Sequence, residues 1–380
     1  MLHTDELDYV LPPELIARNP VHPRDHSRLL VFRRSADSIE DCQFSDLPQL
    51  LSPGDLLIAN DTRVIPAKLS LSKESGGSIT GLFIDELSAG KWRVMLRTRG
   101  RAAPGMRLAA IADNGKACVY LKLLAREPEK GQWVVEVNDT RPAHEILARI
   151  GSMPLPPYIE KARGTSANSM AKASGLELTE GARHGDSPAR PCDDAENYQT
   201  IYARTAGALA APTAGLHFTP EVFAALTQRG INRSFVTLHV GLGTFLPVEA
   251  ATLDQHPMHW ESFMIPRATV ESIRKQRANK GRVVLVGTTT VRTLESMAGE
   301  IVDGSKAPDD ISGSTNLLIQ PGYAFQLTDA LITNFHLPRS TLLALVGALT
   351  GLSRLKEIYQ HAITRRYRFY SFGDAMLILP

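Results

Sequence analysis

The sequence predicts an α/β protein, with a large domain of mostly parallel strands and a smaller all-β unit. Three observations lead there. From Asn197 onward, short apolar runs alternate with helical patterns, the signature of strand–loop–helix units. From about Ala67 to Asp139 the texture changes to short, partly alternating runs broken by Gly, Pro, Ser or Asn, the spacing of a barrel or sandwich of about six strands. The chain has 380 residues, of which 43% are hydrophobic, too many for one ordinary small domain.

Taken in order, "RLLVFRR" and "GDLLIAND" read as strands. The runs "AKLSLS", "SITGLFIDEL", "KWRVMLRT", "MRLAAIA", "ACVYLKLLARE" and "QWVVEVND" supply the β unit. "RPAHEILARIG" is a helical pattern, and "MPLPPYIEK" is extended because its prolines disfavour helix. Residues 162–192 are small, polar and without period, the composition of an exposed, mobile loop. "PEVFAALTQRG", "TVESIRKQRANKG" and "TVRTLESMAG" are helices, and "INRSFVTLHV", "RVVLVG" and "ALITNFHL" are strands. Thr219-Pro220-Glu221 reads as an N-cap, a first-position proline and a first-turn acid. "STLLALVGALTG" and "LSRLKEIYQHAITRR" close the chain as helices, the first too short for a membrane span and suited to burial.

Composition excludes several classes. The formal net charge is +2, so a polyanion partner needs a local basic footprint. Cys42, Cys118 and Cys192 lie far apart without a CxxC pair, which argues against a disulfide framework or thiolate zinc site and fits a reducing cytosol. The N-terminus carries acids and prolines where a signal peptide would be basic and apolar. A cytoplasmic protein is therefore expected, and with no self-pairing element in view, a monomer.

Ligands on open α/β sheets sit at the carboxyl ends of strands. The loops there carry Asn60, Asp61 and Arg63; His239, Gly241, Gly243, Thr244 and Phe245; Thr288, Thr289, Thr290 and Arg292; and Asn334, His336 and Arg339. "APTAGLHF", with Thr213, Gly215, His217 and Phe218, joins them as a stretch of small residues that lets backbone approach a ligand. "GLGTFL" fails the dinucleotide fingerprint, and no Walker A sequence occurs. "QHPMHWES" sets His256 and His259 three apart with Glu261 beyond, either two metal ligands or a turn with ordinary histidines. No acidic ligand cluster accompanies them, so no metal site is assigned. Two basic stretches suit a polyanion: one holds Lys91, Arg93, Arg97, Arg99, Arg101 and Arg107, and the other interleaves Arg365, Arg366 and Arg368 with Tyr367, Phe369, Tyr370 and Phe372. From the residues alone, a metal-dependent hydrolase using these histidines and a non-catalytic RNA-binding protein both stay open.

Longer strings resemble one family. "LDYVLPPELIARNPVHPRDHSRLL", "IANDTRVIPAKL", "PLPPYI", "ENYQTIYARTAGALAAPTAGLHFT", "VTLHVGLGTFLPV", "VGTTTVRTLES", "TNFHLPRSTLLALV" and "YRFYSFGDAMLIL" follow the order of the S-adenosylmethionine:tRNA ribosyltransferase-isomerases of queuosine synthesis. The β region is similar only loosely, and the segment from Arg163 to Arg190 is longer than that family's short link. The resemblance implies an α/β catalytic domain, 1–66 with 140–380, and an inserted β-barrel domain, 67–139. It implies that S-adenosylmethionine donates its ribosyl group and is consumed rather than recycled. The acceptor is 7-aminomethyl-7-deazaguanine at the tRNA wobble position, the product is epoxyqueuosine-tRNA, and adenine and methionine leave. An ordinary methyltransferase would share the donor but release S-adenosylhomocysteine.

Set against that chemistry, the residues divide by role. The sulfonium acidifies the ribose C5′ hydrogens, so a base is needed; His217, His239 and His336 are candidates, with Asp61 and Glu249 behind them. Asp61, Phe218 and Phe245 suit a sulfonium cation. Thr288 to Thr290 and the backbone from Gly241 to Thr244 suit ribose hydroxyls or the donor's carboxylate. Arg63 and Arg292 suit that carboxylate or an RNA phosphate. Asn60, Thr213, Gly215 and Asn334 complete the expected donor pocket. Arg97, Arg99, Arg101, Arg339, Arg365, Arg366 and Arg368 are expected against tRNA, and His217 is expected to point into the pocket.

Overall fold

The computed structural model describes residues 2–98, 102–111, 117–160, 163, 194–241, 248, 250–305 and 307–380. Its centre is a nine-stranded sheet. The spatial order is β16 (Ile311–Thr315), β14 (Glu261–Ile265), β13 (Asn232–Leu238), β3 (Leu56–Asn60), β15 (Val283–Val286), β17 (Ala330–Asn334), β18 (Ala375–Leu379), β1 (Arg28–Arg33) and β2 (Ser38–Gln43). Strands β3, β15, β17 and β18 are buried at every position, because both faces of the sheet are covered. Alternation then splits each strand between two cores. Leu56 and Ile58 of β3 and Val283 and Leu285 of β15 pack on one face. Leu57, Ala59, Val284 and Val286 pack on the other, with Val222, Phe223 and Leu226 of helix Pro220–Gln228. That helix begins as its sequence indicates, with the Thr219 hydroxyl accepting from the Val222 N–H at 3.3 Å.

The strands are mixed rather than mostly parallel. Parallel pairing joins β13 to β3, β3 to β15, β15 to β17 and β18 to β1. Antiparallel pairing joins β16 to β14, β14 to β13, β17 to β18 and β1 to β2. A strand buried on both faces reads as one apolar run in either direction, so burial pattern carries no sign of orientation. "AMLIL", which forms β18, illustrates this: it runs antiparallel to β17 and parallel to β1.

A second sheet closes into a barrel of six antiparallel strands: β5 (Lys68–Lys73), β6 (Ser78–Ser88), β7 (Lys91–Arg97), β8 (Arg107–Ile111), β9 (Ala117–Arg126) and β10 (Gln132–Val137). Closure comes from β5 pairing with β8, Leu71 opposite Ala110. Trp92, Val94 and Leu96 of β7 point inward, while Arg93 and Arg97 alternate outward. Helix Ala143–Ile150 plugs the barrel with Ile146, Leu147 and Ile150. The chain leaves through β11 (Gly151–Ser152), which pairs with β5. A two-stranded ribbon, β4 (Thr62–Val64) beside β12 (Thr205–Ala208), runs next to the main sheet.

Of the 162–192 segment, Arg163 is described; it donates to Asp194 at 2.8 Å, and the rest lies outside the described residues. No described helix is long and apolar enough to cross a membrane; "STLLALVGALTG" forms the buried helix Thr341–Thr350.

Gly151 marks where the chain returns from the barrel to the main sheet. A Cβ there would lie 1.7 Å from the Pro66 carbonyl oxygen and 2.7 Å from that of Leu147. Neither backbone oxygen can yield without moving the entry or exit of the barrel. Gly151→Ala is expected to destabilise the protein by about 3 kcal/mol, the upper range for overpacking. Equilibrium denaturation checks this, and an unchanged midpoint would refute the crowding argument.

Candidate active site

Parallel strands end at the same edge, and there the chain opens a cavity of about 350 Å³, a size suited to a small-molecule ligand. Three walls come from strand ends. Val240 follows β13; Gly287, Thr288 and Thr289 follow β15; Thr333 to His336 lie at the end of β17. Two more walls come from antiparallel neighbours, whose starts face the same edge. Glu261 opens β14, and Tyr370 and Ser371 precede β18. Ala210 to Ala214 supply a further wall.

The first turn of helix Thr288–Ser296 lies in this cavity. Its N-cap is Gly287 at φ +83, which offers no capping side chain. The N–H groups of the first turn are therefore open to a polar ligand. Thr290, by contrast, donates to the Val286 carbonyl at 2.6 Å and is fully buried, so it serves the helix. Arg292 reaches the cavity wall and donates through Nη1 to Glu261, while Nε donates to the Leu317 carbonyl at 3.0 Å. Among the described residues its buried Nη2 has no hydrogen-bond partner. The other Glu261 oxygen accepts the Gly241 N–H at 3.1 Å.

Residues 4–378 match the family model described as queuosine biosynthesis protein. The chain belongs to that family. It is 45% identical over 382 residues to the S-adenosylmethionine:tRNA ribosyltransferase-isomerase of Synechococcus elongatus, covering 100% of this chain and 96% of that protein. The protein of the same name from Thermotoga maritima is 41% identical, with 100% of both chains covered. The crystal structure of an S-adenosylmethionine tRNA ribosyltransferase from Thermotoga maritima superposes with a TM-score of 0.52 at 35% identity, covering 98% of this chain and 100% of that one.

The three candidate histidines of this family member sit in three environments. His336 lines the cavity, and its Nε2 is hydrogen-bonded to the Thr333 hydroxyl at 2.8 Å. Among the described residues its Nδ1 has no hydrogen-bond partner. Burial lowers its pKa to about 3, so the ring is neutral at physiological pH. His217 does not line the cavity. It is 4% exposed, stacks on Phe44 at 5.1 Å and bonds the Ser27 hydroxyl through Nδ1 at 2.8 Å. The Asn334 amide oxygen accepts from Thr213 at 2.8 Å, so its nitrogen donates to His217 Nε2 at 3.3 Å. Both ring nitrogens are thus occupied, against the expectation that His217 points into the pocket. Burial, then Arg368 and Arg24, lower its pKa to about 3. His239 bonds the Thr62 hydroxyl at 2.8 Å and packs on Gly207, where a Cβ would lie 2.8 Å from the ring. It lies outside the cavity lining; burial lowers its pKa against the opposing charge of Asp61.

Asp61 is likewise engaged away from the cavity. One carboxylate oxygen accepts from Thr237 at 2.7 Å, and the other accepts two bonds from Arg204 at 2.9 and 2.6 Å. Asn60 is wholly buried, Phe218 belongs to the core beside Phe44 and Phe223, and Arg63 is exposed on β4. In "APTAGLHF" the division is sharp. Ala211 to Ala214 line the cavity, while a Cβ at Gly215 would lie 2.0 Å from the Tyr202 hydroxyl, so that glycine serves packing. Gly243, Thr244, Phe245 and Glu249 lie outside the described residues, as do Arg99 and Arg101.

The basic stretches also separate. Arg97 ends β7 on the barrel's outside. Tyr367, Phe369 and Phe372 are buried in the core and Tyr370 faces the cavity, so the described terminal rings form no exposed aromatic surface. Arg365 and Arg366 are exposed, and Arg365 lies 3.7 Å from Asp41. Arg368 donates its backbone N–H to Asp374 at 2.8 Å and its guanidinium to the Asn19 carbonyl. Arg339 stands at the cavity, paired with Asp5 at 3.2 Å.

Residues outside the expected donor pocket also line the cavity. His256 and His259, by spacing either metal ligands or ordinary histidines of a turn, both line the cavity, and burial, then His259, lower the pKa of His256. Their neighbour Glu261 is committed to Arg292, and the described residues contain no group of three or more His, Cys, Asp or Glu arranged to hold a metal. Tyr158 lines the cavity and bonds Ser371 across it, a role its proline-rich setting gave no hint of.

His217 makes acid sensitivity predictable. Its folded pKa, about 3, lies below the ordinary 6.5, so the unfolded chain binds the extra proton between those values. Stability from this group is complete above pH 6.5 and is lost as pH falls towards 3. The slope is up to about 1.4 kcal/mol per pH unit. His217→Gln is expected to flatten that part of the curve. Denaturation midpoints at pH 7, 5 and 4 check it, and an unaltered slope would contradict a buried neutral imidazole.

Proposed function

We propose that the chain transfers and isomerises the ribosyl group of S-adenosylmethionine onto 7-aminomethyl-7-deazaguanine at the wobble position of tRNA, releasing adenine and methionine. The observation that carries this is full-length similarity, 45% over 382 residues, to a protein named for that activity. The donor is a consumed substrate, no metal takes part, and the enzyme works in the cytoplasm as a monomer. Residues 67–139 are assigned as an inserted domain, with 1–66 and 140–380 as the catalytic one.

The cavity supports assigned roles. His336 Nδ1 is the base that takes the C5′ proton beside the sulfonium, being the neutral ring position left free at the wall. The open first turn of helix Thr288–Ser296 receives the donor's carboxylate or ribose hydroxyls. Arg292, its charge offset by Glu261, stands in the wall beside the same groups. Arg339 at the cavity, with Arg63, Arg97, Arg365 and Arg366 on the surface, meets RNA phosphate.

Mixing the protein with S-adenosylmethionine and tRNA bearing the aminomethyl base should release adenine and methionine in equal amounts, as resolved by chromatography and mass. S-adenosylhomocysteine would mean methyl transfer instead. His336→Ala should lower kcat by about 10²–10⁴-fold, the span of a lost acid–base group. Retained kcat would remove His336 from the chemistry. Because its pKa lies near 3, protonation of His336 should leave no inflection in the kcat profile between pH 5 and 9.

A further inference from the structure

Among the described residues, 2–17 have no part in the cavity lining, yet they bind the backs of three of its walls. Thr4 donates its N–H to the Ala251 carbonyl at 3.0 Å and its hydroxyl to the Ala250 carbonyl at 2.7 Å, while Leu253 donates back to Leu2 at 3.1 Å. Those bonds hold the loop leading to His256 and His259. Arg339 donates its N–H to the Leu7 carbonyl at 3.0 Å, which holds the loop after β17. Phe369 donates to Leu15 at 2.8 Å, and Ala17 donates to Phe369 at 3.2 Å, which holds the stretch before Tyr370 and Ser371.

Tyr9 sits midway along this strap, and its hydroxyl donates to the His336 carbonyl. Its ring stands edge-on to Tyr359 at 5.0 Å. The Tyr359 hydroxyl in turn accepts the His336 N–H at 2.9 Å. Both backbone groups of His336 are therefore held by tyrosines that touch each other, and its ring is held by Thr333. Three fixed points leave the imidazole little freedom, and a displacement of about 1 Å at a reacting group can cost about 10²-fold in rate.

We propose that Tyr9 is a positioning residue for His336, and that the N-terminal strap sets the geometry of the cavity from behind. The inference rests on the role given to His336 above. Tyr9→Phe keeps the ring and removes the hydroxyl. It should lower kcat by about 10- to 100-fold with KM for S-adenosylmethionine within about twofold and thermal stability within a few degrees.

The double variant decides between positioning and general support. If Tyr9 acts through His336, Tyr9→Phe with His336→Ala is no slower than His336→Ala alone. Losses that multiply would overturn the proposal, as would wild-type kcat in Tyr9→Phe. A second readout needs no turnover: ¹⁵N chemical shifts of the His336 ring should change in Tyr9→Phe, while those of His217 stay put. Unchanged His336 shifts would also overturn it. Absence of adenine release by the wild-type protein would instead count against the proposed reaction, and the ring shifts would still test Tyr9.

Discussion

One buried amide holds the edge at which the cavity forms. Asn60 ends β3 with no exposed surface, and its side chain uses every position it has. Its nitrogen donates to the Leu238 carbonyl at 3.0 Å and to the Thr289 hydroxyl at 3.2 Å. Its oxygen accepts from Leu238 N–H at 3.0 Å and from Thr62 N–H at 3.1 Å. These four bonds tie the end of β13, the start of a helix and the turn into β4 to one point. A buried amide with no partner would be costly, so the network persists only while all four groups stay in place. Asp61 continues it: its carboxylate holds Thr237 of β13 and Arg204, which leads into β12. Two polar residues expected to touch substrate thus spend their hydrogen bonds on the frame that positions others.

The legible part of this molecule follows from local chemistry. The capping threonine of helix Pro220–Gln228, the alternation in β7 and the polar breaks after β3, β13, β15 and β17 are visible because neighbouring residues cause them. The missed part depends on direction. Searching only the loops after strands finds Thr288 and His336 but passes over Glu261 and Tyr370, which belong to strands entering from the other side. The "YRFYSF" stretch misleads for a related reason. Arginine beside aromatic residues has the composition of an RNA surface, yet the rings enter the core and Arg28 places its guanidinium 3.7 Å over the Tyr367 ring. Composition does not reveal which side of a ring is already covered. His217 was equally opaque, since only the fold brings Ser27 and Asn334 to its two nitrogens.

The barrel and the cavity are packed into one another at three consecutive residues. Leu209 belongs to the barrel core, Ala210 to the core on one face of the main sheet, and Ala211 to the small cluster around Tyr198 and Phe372. Ala210 and Ala211 also line the cavity. Side chains at native packing density transmit displacement instead of absorbing it. A shift in how the barrel seats on Leu209 therefore moves a cavity wall directly. The Leu209 N–H bond to the Val240 carbonyl at 2.9 Å adds the end of β13 to the same linkage. Small residues are needed here because three cores meet within the width of one strand.

The electrostatics of the cavity fit a cationic donor. Arg292 is a fixed positive charge in its wall, and Glu261 pairs with it. Arg339 is drawn to Asp5. His336 is neutral because its burial disfavours the charged form. A sulfonium entering this space therefore meets no unpaired guanidinium, and a ring already lacking a proton. Two opposite demands are met together. The base must be unprotonated to accept a hydrogen from carbon, and it must not repel the cation that makes that hydrogen acidic. On the role proposed for His336, its burial would satisfy both at the cost of basicity, and the proton's transfer would draw on the sulfonium's acidifying effect and on close, fixed approach. Behind the cavity, Tyr9 and Tyr359 hold the two backbone groups of His336, and Thr333 holds Nε2 of its ring.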